Sequence, residues 1–139
     1  MFSLHRAYDE VILDFQRRLQ EEGVHYIQAL ILTGIFFEER PVRPSELAKT
    51  LGSSRPNISH ALRGLEKKGW ITRGSSPLDA RAYFFELTKE GRKKVPKLIK
   101  IFDRIEDRFD AWPEAKRLTH FLEALIKAYR ESQSEMRDR

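Results

Sequence analysis

A chain of 139 residues, 40% hydrophobic and 34% charged, fits one soluble globular domain that buries about two thirds of its unfolded surface without disulfides or metal clips. It holds no cysteine, which excludes thiolate catalysis, cysteine-ligated zinc or iron–sulfur centres and thiol redox switching. Lys and Arg outnumber Asp and Glu 26 to 21, and the excess is local: residues 41–100 hold 14 basic against 5 acidic side chains, while both flanks are weakly acidic.

A basic segment between acidic ends points to a polyanionic partner only where it also carries a recognisable module; otherwise it is a solvated surface. No apolar run approaches the ~20 residues of a membrane span, and no basic-then-apolar leader opens the chain. The expected location is cytoplasmic, without membrane association.

In chain order, Leu4, Tyr8, Val11, Ile12, Phe15 and Leu19 recur at three- and four-residue steps, which predicts an amphipathic helix closed by Gly23. Val24 to Phe37 is apolar nearly all round and reads as a central buried helix. Pro44 to Leu51 predicts a short helix capped by Ser45, with Leu47, Ala48 and Leu51 on one face. Gly52 permits a turn. Ser53 and Ser54 offer the next cap, Pro56 suits a first turn, and a helix follows from about Arg55 to Lys68 before Gly69 stops it. Two short helices joined by a tight glycine turn make a helix-turn-helix unit.

At about 100° per residue, Ala61, Leu62 and Leu65 share the stripe of Ile58. Pro56, His60, Arg63 and Lys67 fall opposite, flanked by Asn57 and Ser59, with no acid among them. That composition suits a major groove: Arg forks onto guanine O6 and N7, Asn bridges adenine N6 and N7, and Ser bonds base edges or phosphate. An ordinary solvated helix face is the alternative.

Beyond Gly69 the period changes to two. Trp70–Arg73 and Ala82–Leu87 read as strands around a turn-rich connection, Gly74 to Arg81, with Tyr83, Phe85 and Leu87 facing inward. Such a tip can act as a wing entering a minor groove. Thr88 caps a further helix, behind which Arg92, Lys93 and Lys94 are either solvated or phosphate contacts. Pro96 predicts a kink or break near Lys94–Pro96. Ile99, Phe102, Ile105 and Phe109 mark one helix; Leu118, Phe121, Leu122, Leu125, Ile126 and Tyr129 mark another, with Pro113 in its first turn and a fraying tail from Ser132. The fold class is therefore mainly α with a small β wing. Residues 41–95 form the winged helix-turn-helix domain, and residues 1–40 and 96–139 a helical dimerisation region whose apolar stripes are expected to pair in a homodimer, with packing inside one subunit as the alternative.

Ser45-Glu46-Leu47-Ala48, Leu51-Gly52, the Ser54–Arg63 helix, Leu65-Glu66-Lys67-Lys68-Gly69-Trp70-Ile71-Thr72-Arg73, Asp79-Ala80-Arg81 and Leu87-Thr88-Lys89-Glu90-Gly91 stand in the order of a known family. Over about residues 45–91 the chain resembles the MarR family of transcription regulators. The resemblance implies a two-fold dimer on a pseudo-palindromic double-stranded DNA operator, with recognition helices in successive major grooves. It makes Ser54, Arg55, Pro56, Asn57, Ser59, His60, Arg63 and Lys67 the recognition-helix contacts. Arg73, Ser75, Ser76, Asp79 and Arg81 become wing residues, Arg81 at the tip and Asp79 orienting it. It also implies repression, relieved by a small-molecule effector; His25, Tyr26, Phe36, Phe37 and Trp112 are candidates to line its pocket. Pro96 and Gly64, inside helices, depart from this pattern or lack an account.

No catalytic or metal constellation stands out: His5, His25, His60 and His120 lack acidic or hydroxyl partners at motif spacing, and no phosphate loop is present. No enzyme, metal or cofactor is expected. The rival readings are a winged-helix protein-interaction module and an architectural DNA-binding module without sequence preference.

Overall fold

The computed structural model describes the backbone of residues 2–76 and 79–137, and the side chains in that range except at 2–4, 7, 8, 11, 76, 79–82, 108, 130 and 132–137. The elements are α1 (Phe2–Glu21), α2 (Tyr26–Glu38), α3 (Pro44–Thr50), α4 (Arg55–Lys67), β1 (Ile71–Ser76), β2 (Asp79–Leu87), α5 (Lys89–Asp110) and α6 (Ala115–Arg137). Residues 1–101 form one compact unit and residues 102–139 a second. No helix among the described residues is long and apolar enough to cross a membrane.

The first unit is built around α4. Its Ile58, Ala61, Leu62 and Leu65 are buried with Phe15 and Leu19 of α1, Ala29, Ile31, Leu32 and Ile35 of α2, Leu47 of α3, and Val95 and Leu98 of α5. The positive φ of Gly23 ends the α1 turn, that of Gly52 separates α3 from α4, and that of Gly69 releases the chain into β1. α3 packs on α4, α2 on α4 and β2, and β1 on α4.

Several elements differ from the sequence reading. The cap of α3 is not Ser45. Pro44 is the first helical residue, and the Glu46 carboxylate accepts the Arg43 N–H at 2.9 Å. The wing strands are longer than their turn-rich composition suggests: β1 and β2 pair antiparallel from Ile71↔Leu87 to Ser75↔Tyr83, with an irregularity before Ser76↔Asp79. Gly74 serves this ladder by leaving room for the Phe84 ring. Val42 adds a bridge to Phe85, donating at 3.0 Å and accepting at 2.9 Å, so the segment before α3 edges the same sheet.

Pro96 lies inside α5 without ending it. The ring is exposed, while Val95 and Leu98 beside it are fully buried and anchor the helix on both sides. In the second unit, α6 starts at Ala115, with the Glu114 carbonyl accepting from Leu118 N–H at 3.0 Å. Pro113 therefore precedes the helix instead of forming its first turn. The helix continues to Arg137, past the expected fraying point at Ser132. Phe121, Leu125, Ile126 and Tyr129 remain exposed on it.

Candidate nucleic-acid interface

α4 begins at a defined cap: Ser54 Oγ accepts the Asn57 N–H at 3.4 Å, and Pro56 stands in the first turn, where its missing N–H costs nothing. The buried stripe of Ile58, Ala61, Leu62 and Leu65 fixes which side turns outward. On that side Arg55, Pro56, Asn57, His60, Arg63 and Lys67 are exposed, as is Ser54, and Ser59 is half-buried. Arg55, Pro56, Asn57, Ser59, His60, Arg63 and Lys67 thus fall on one helix, with one cation at its start, short polar groups after it and two cations toward its end. Glu66 is exposed at the flank of this face. Ser53, which the sequence reading used only as a possible cap, accepts a hydrogen bond from Asn57 Nδ2 at 2.9 Å.

The far end of α4 is fastened to the turn after α1 and to the first turn of α2. The Lys68 ammonium donates to the Gly23 carbonyl and to Gln28 Oε1, the latter at 3.3 Å. It also lies 5.2 Å from the centre of the Trp70 ring, and Lys94 lies 4.9 Å from the same ring. Burial, and then the neighbouring Lys94 charge, hold the Lys68 ammonium below the usual lysine pKa range. Glu22 offsets part of this positive charge, 3.7 Å from Lys94 and 3.6 Å from Lys97. Adjacent lysines therefore do different things: Lys67 stands on the outward face and Lys68 pins the helix. Helical angle already sets Lys67 opposite the buried stripe and Lys68 off that face, but the groups that capture Lys68 come from distant segments.

On the wing, Arg73 and Ser75 are exposed. The Arg73 guanidinium lies 4.0 Å from the Tyr83 ring centre. The side chains of Ser76, Asp79 and Arg81 lie outside the described residues, as do Pro77 and Leu78 entirely. The wing is tied back at its base, where Thr88 Oγ1 donates to the Gly69 carbonyl at 2.7 Å and accepts the Gly91 N–H at 3.1 Å. The basic cluster behind Thr88 divides. Lys94 turns toward Trp70 and Glu22, Lys93 pairs with Glu90 at 2.8 Å, and Arg92 is exposed.

Four of the five candidates for an effector pocket divide between the two ends of α2. His25 and Tyr26 lie at the start of α2, and Tyr26 meets Phe15 edge-on at 5.3 Å. Phe36 and Phe37 lie at its other end, about 15 Å along the axis. Phe37 is 69% exposed, and Trp112 belongs to the second unit. No group of three or more His, Asp or Glu able to hold a metal occurs among the described residues.

Two short helices at a glycine turn, followed by a twisted hairpin edged by Val42, define a winged helix-turn-helix protein. A MarR-family model matches residues 22–82. The uncharacterized HTH-type transcriptional regulator YdcH of Bacillus subtilis is 30% identical over 112 residues, which cover 78% of this chain and 75% of that protein. The transcriptional repressor MprA of Escherichia coli K12 is 43% identical over 78 residues, 55% of this chain and 44% of the relative, so the chain matches less than half of MprA. Among solved structures, the transcriptional repressor CouR bound to a 23-mer DNA duplex aligns with a TM-score of 0.74 and 28% identity, covering 92% of this chain and 90% of that one. The chain belongs to the MarR family.

Proposed function

We propose that this protein is a dimeric, sequence-specific double-stranded DNA-binding regulator of transcription, acting as a repressor in the cytoplasm. The observation that carries the reading is the outward face of α4. It presents an amide, hydroxyls, an imidazole and three cations opposite a fully buried stripe, in a fold shared with a repressor solved on duplex DNA. Ser54, Arg55, Pro56, Asn57, Ser59, His60, Arg63 and Lys67 read or position on the major groove. Arg73 and Ser75, with Ser76, Asp79 and Arg81 toward the tip, serve the adjacent backbone and minor groove.

Residues 41–95 are the reading domain, and residues 1–40 and 96–139 the pairing region. The exposed Phe121, Leu125, Ile126 and Tyr129 on α6 support pairing, because an apolar stripe of that length is costly to leave in water. A small-molecule effector would relieve repression by favouring a separation of the two reading helices that does not match the groove. Candidates to line its pocket are His25 and Tyr26 at one end of α2, Phe36 and Phe37 at the other, and Trp112.

Selection of duplexes from a random pool at low and moderate salt, followed by footprinting, tests the reading. The expected outcome is an enriched pseudo-palindrome with half-site centres about 10–10.5 base pairs apart. Arg63→Ala should relax preference at one pair per half-site by about 1–3 kcal/mol. Salt-sensitive binding without enrichment would identify an architectural protein instead, and absence of duplex binding a protein-interaction module. Sedimentation of the free protein reads the dimer directly.

A further inference from the structure

Asn57 is an exposed amide whose orientation is not left to solvent. Its Nδ2 donates to Ser53 Oγ at 2.9 Å, and its backbone N–H donates to Ser54 Oγ at 3.4 Å. Ser53 is itself fixed: it follows the left-handed Gly52, and its N–H donates to the Ala48 carbonyl at 3.0 Å at the end of α3. The turn of the helix-turn-helix unit therefore carries a hydroxyl that grips a side chain in the first turn of α4.

A primary amide has two N–H donors and a carbonyl oxygen with two lone pairs. The Ser53 bond uses one donor. The second N–H and Oδ1 remain, both in the amide plane. That donor–acceptor pair complements the adenine major-groove edge, where N7 accepts and N6–H donates. It does not complement guanine, whose N7 and O6 both accept. Position agrees with chemistry, since the first residues of a recognition helix reach base edges.

Resting on the regulator reading above, we infer that Ser53 is a positioning residue that holds the Asn57 amide for an adenine, so that each half-site contains one A·T pair read through Asn57. Ser53 touches no base. It acts by sparing Asn57 the ordering of a free rotor on binding. Discrimination at that pair should then depend on both residues, and nowhere else on Ser53.

The experiment compares duplex selection by the full-length wild type with Ser53→Ala, Ser53→Thr, Asn57→Ala and the Ser53→Ala/Asn57→Ala double variant. Expected is an A·T pair at the one half-site position where Asn57→Ala becomes indifferent. Ser53→Ala should lower preference at that pair by about two- to tenfold, the worth of one hydrogen bond. Ser53→Thr should retain it, and the double variant should be no worse there than Asn57→Ala. Placing 7-deazaadenine at that pair, which removes the N7 acceptor, should weaken wild type and leave Asn57→Ala unaffected. Relaxation of the Asn57 side-chain amide in the free wild-type protein reads the tether without any substitution, and an amide reorienting freely on the picosecond–nanosecond scale overturns the inference. Unchanged preference in Ser53→Ala, or a position other than A·T for Asn57, overturns it while the regulator reading stands. A wild type that enriches no sequence overturns both.

Discussion

The amide of Gln28 fills the space that a side chain at position 64 would need: a Cβ built on Gly64 would stand 2.5 Å from Gln28 Nε2. Gln28 is buried, and its Oε1 accepts from the His25 N–H at 3.2 Å and from Lys68 at 3.3 Å. One side chain thus caps α2, holds the end of α4 and sets how closely the two helices approach. Gly64 costs about 1 kcal/mol in helix propensity relative to alanine, and this contact is what that cost secures. Gly91 is tighter in kind, because a Cβ there would meet the backbone carbonyl of Trp70, which is already fixed by the Thr88 N–H at 3.0 Å. Gly64→Ala displaces the flexible end of Gln28, and lost hydrogen bonds of about 0.5–1.5 kcal/mol each largely cancel the propensity gain. It should stay within about 1 kcal/mol of wild type. Gly91→Ala must move backbone and should lose about 2 kcal/mol or more. Urea unfolding of both variants checks the ranking, and equal midpoints would contradict it.

Pro96 offers the opposite case. It removes the N–H that would bond the Arg92 carbonyl, a defect of about 3 kcal/mol in a helix interior. The helix survives because Val95 and Leu98 are fully buried beside it, each worth about 1.5–3 kcal/mol. Since the ring is exposed, Pro96→Ala leaves that packing intact and restores the hydrogen bond. Part of the gain is offset by the freer unfolded chain. The variant should be more stable by about 1–2 kcal/mol in thermal unfolding, and an unchanged midpoint would show that the neighbouring turns already accommodate the ring.

Local features of the fold were legible because local chemistry sets them. The Ile58, Ala61, Leu62 and Leu65 stripe, the Ser54 cap and the Gly23, Gly52 and Gly69 turns each depend on residues a few positions apart. What escaped the sequence reading depends on partners far along the chain. Gln28 explains Gly64, Phe84 explains Gly74, Val42 finds Phe85, and Gly23 captures Lys68. Gly74 and Ser75 looked like turn residues because their composition is that of a turn, yet the ladder to Phe84 and Tyr83 pairs their backbone. The outward face of α4 was visible as a pattern, but the grip of Ser53 on Asn57 was not, since a hydroxyl at a turn commonly serves as a cap.

Acid should act on the start of α3. The Glu46 carboxylate accepts the Arg43 N–H at 2.9 Å and an Arg40 N–H at 3.2 Å. The Arg43 backbone bond, followed by the Arg40 side chain, holds its pKa below the ordinary glutamate value despite an opposing effect of burial. A depressed native pKa means that the unfolded chain binds the proton more readily. The contribution is therefore complete above the unfolded glutamate range and is lost as pH falls through the lowered native value. Glu46→Gln should be less stable than wild type near neutrality, and the difference should shrink on titration from about pH 7 to about pH 3. A constant difference across that range would place the effect of Glu46 outside its charge.

The last expectation concerns Tyr83, whose ring supports the Arg73 guanidinium at 4.0 Å and meets Phe85 edge-on at 5.9 Å. A guanidinium that stacks on a ring keeps its N–H edge for other partners, the arrangement in which arginine best meets a phosphate. If the wing contacts the duplex as proposed, Tyr83→Leu should free Arg73 and weaken binding to all sequences alike. Losing one phosphate contact per subunit lowers the slope of log affinity against log salt by about 0.9 for each contact. Tyr83→Phe keeps the ring and should behave as wild type, which separates the π surface from the phenol hydroxyl. Base preferences should be unchanged in both variants, because Arg73 positions the protein on the backbone without reading bases. Salt titrations of a selected duplex with the three proteins decide the matter: equal slopes for wild type and Tyr83→Leu would remove Arg73 from the interface, and an altered base preference would make it a reader instead of an anchor.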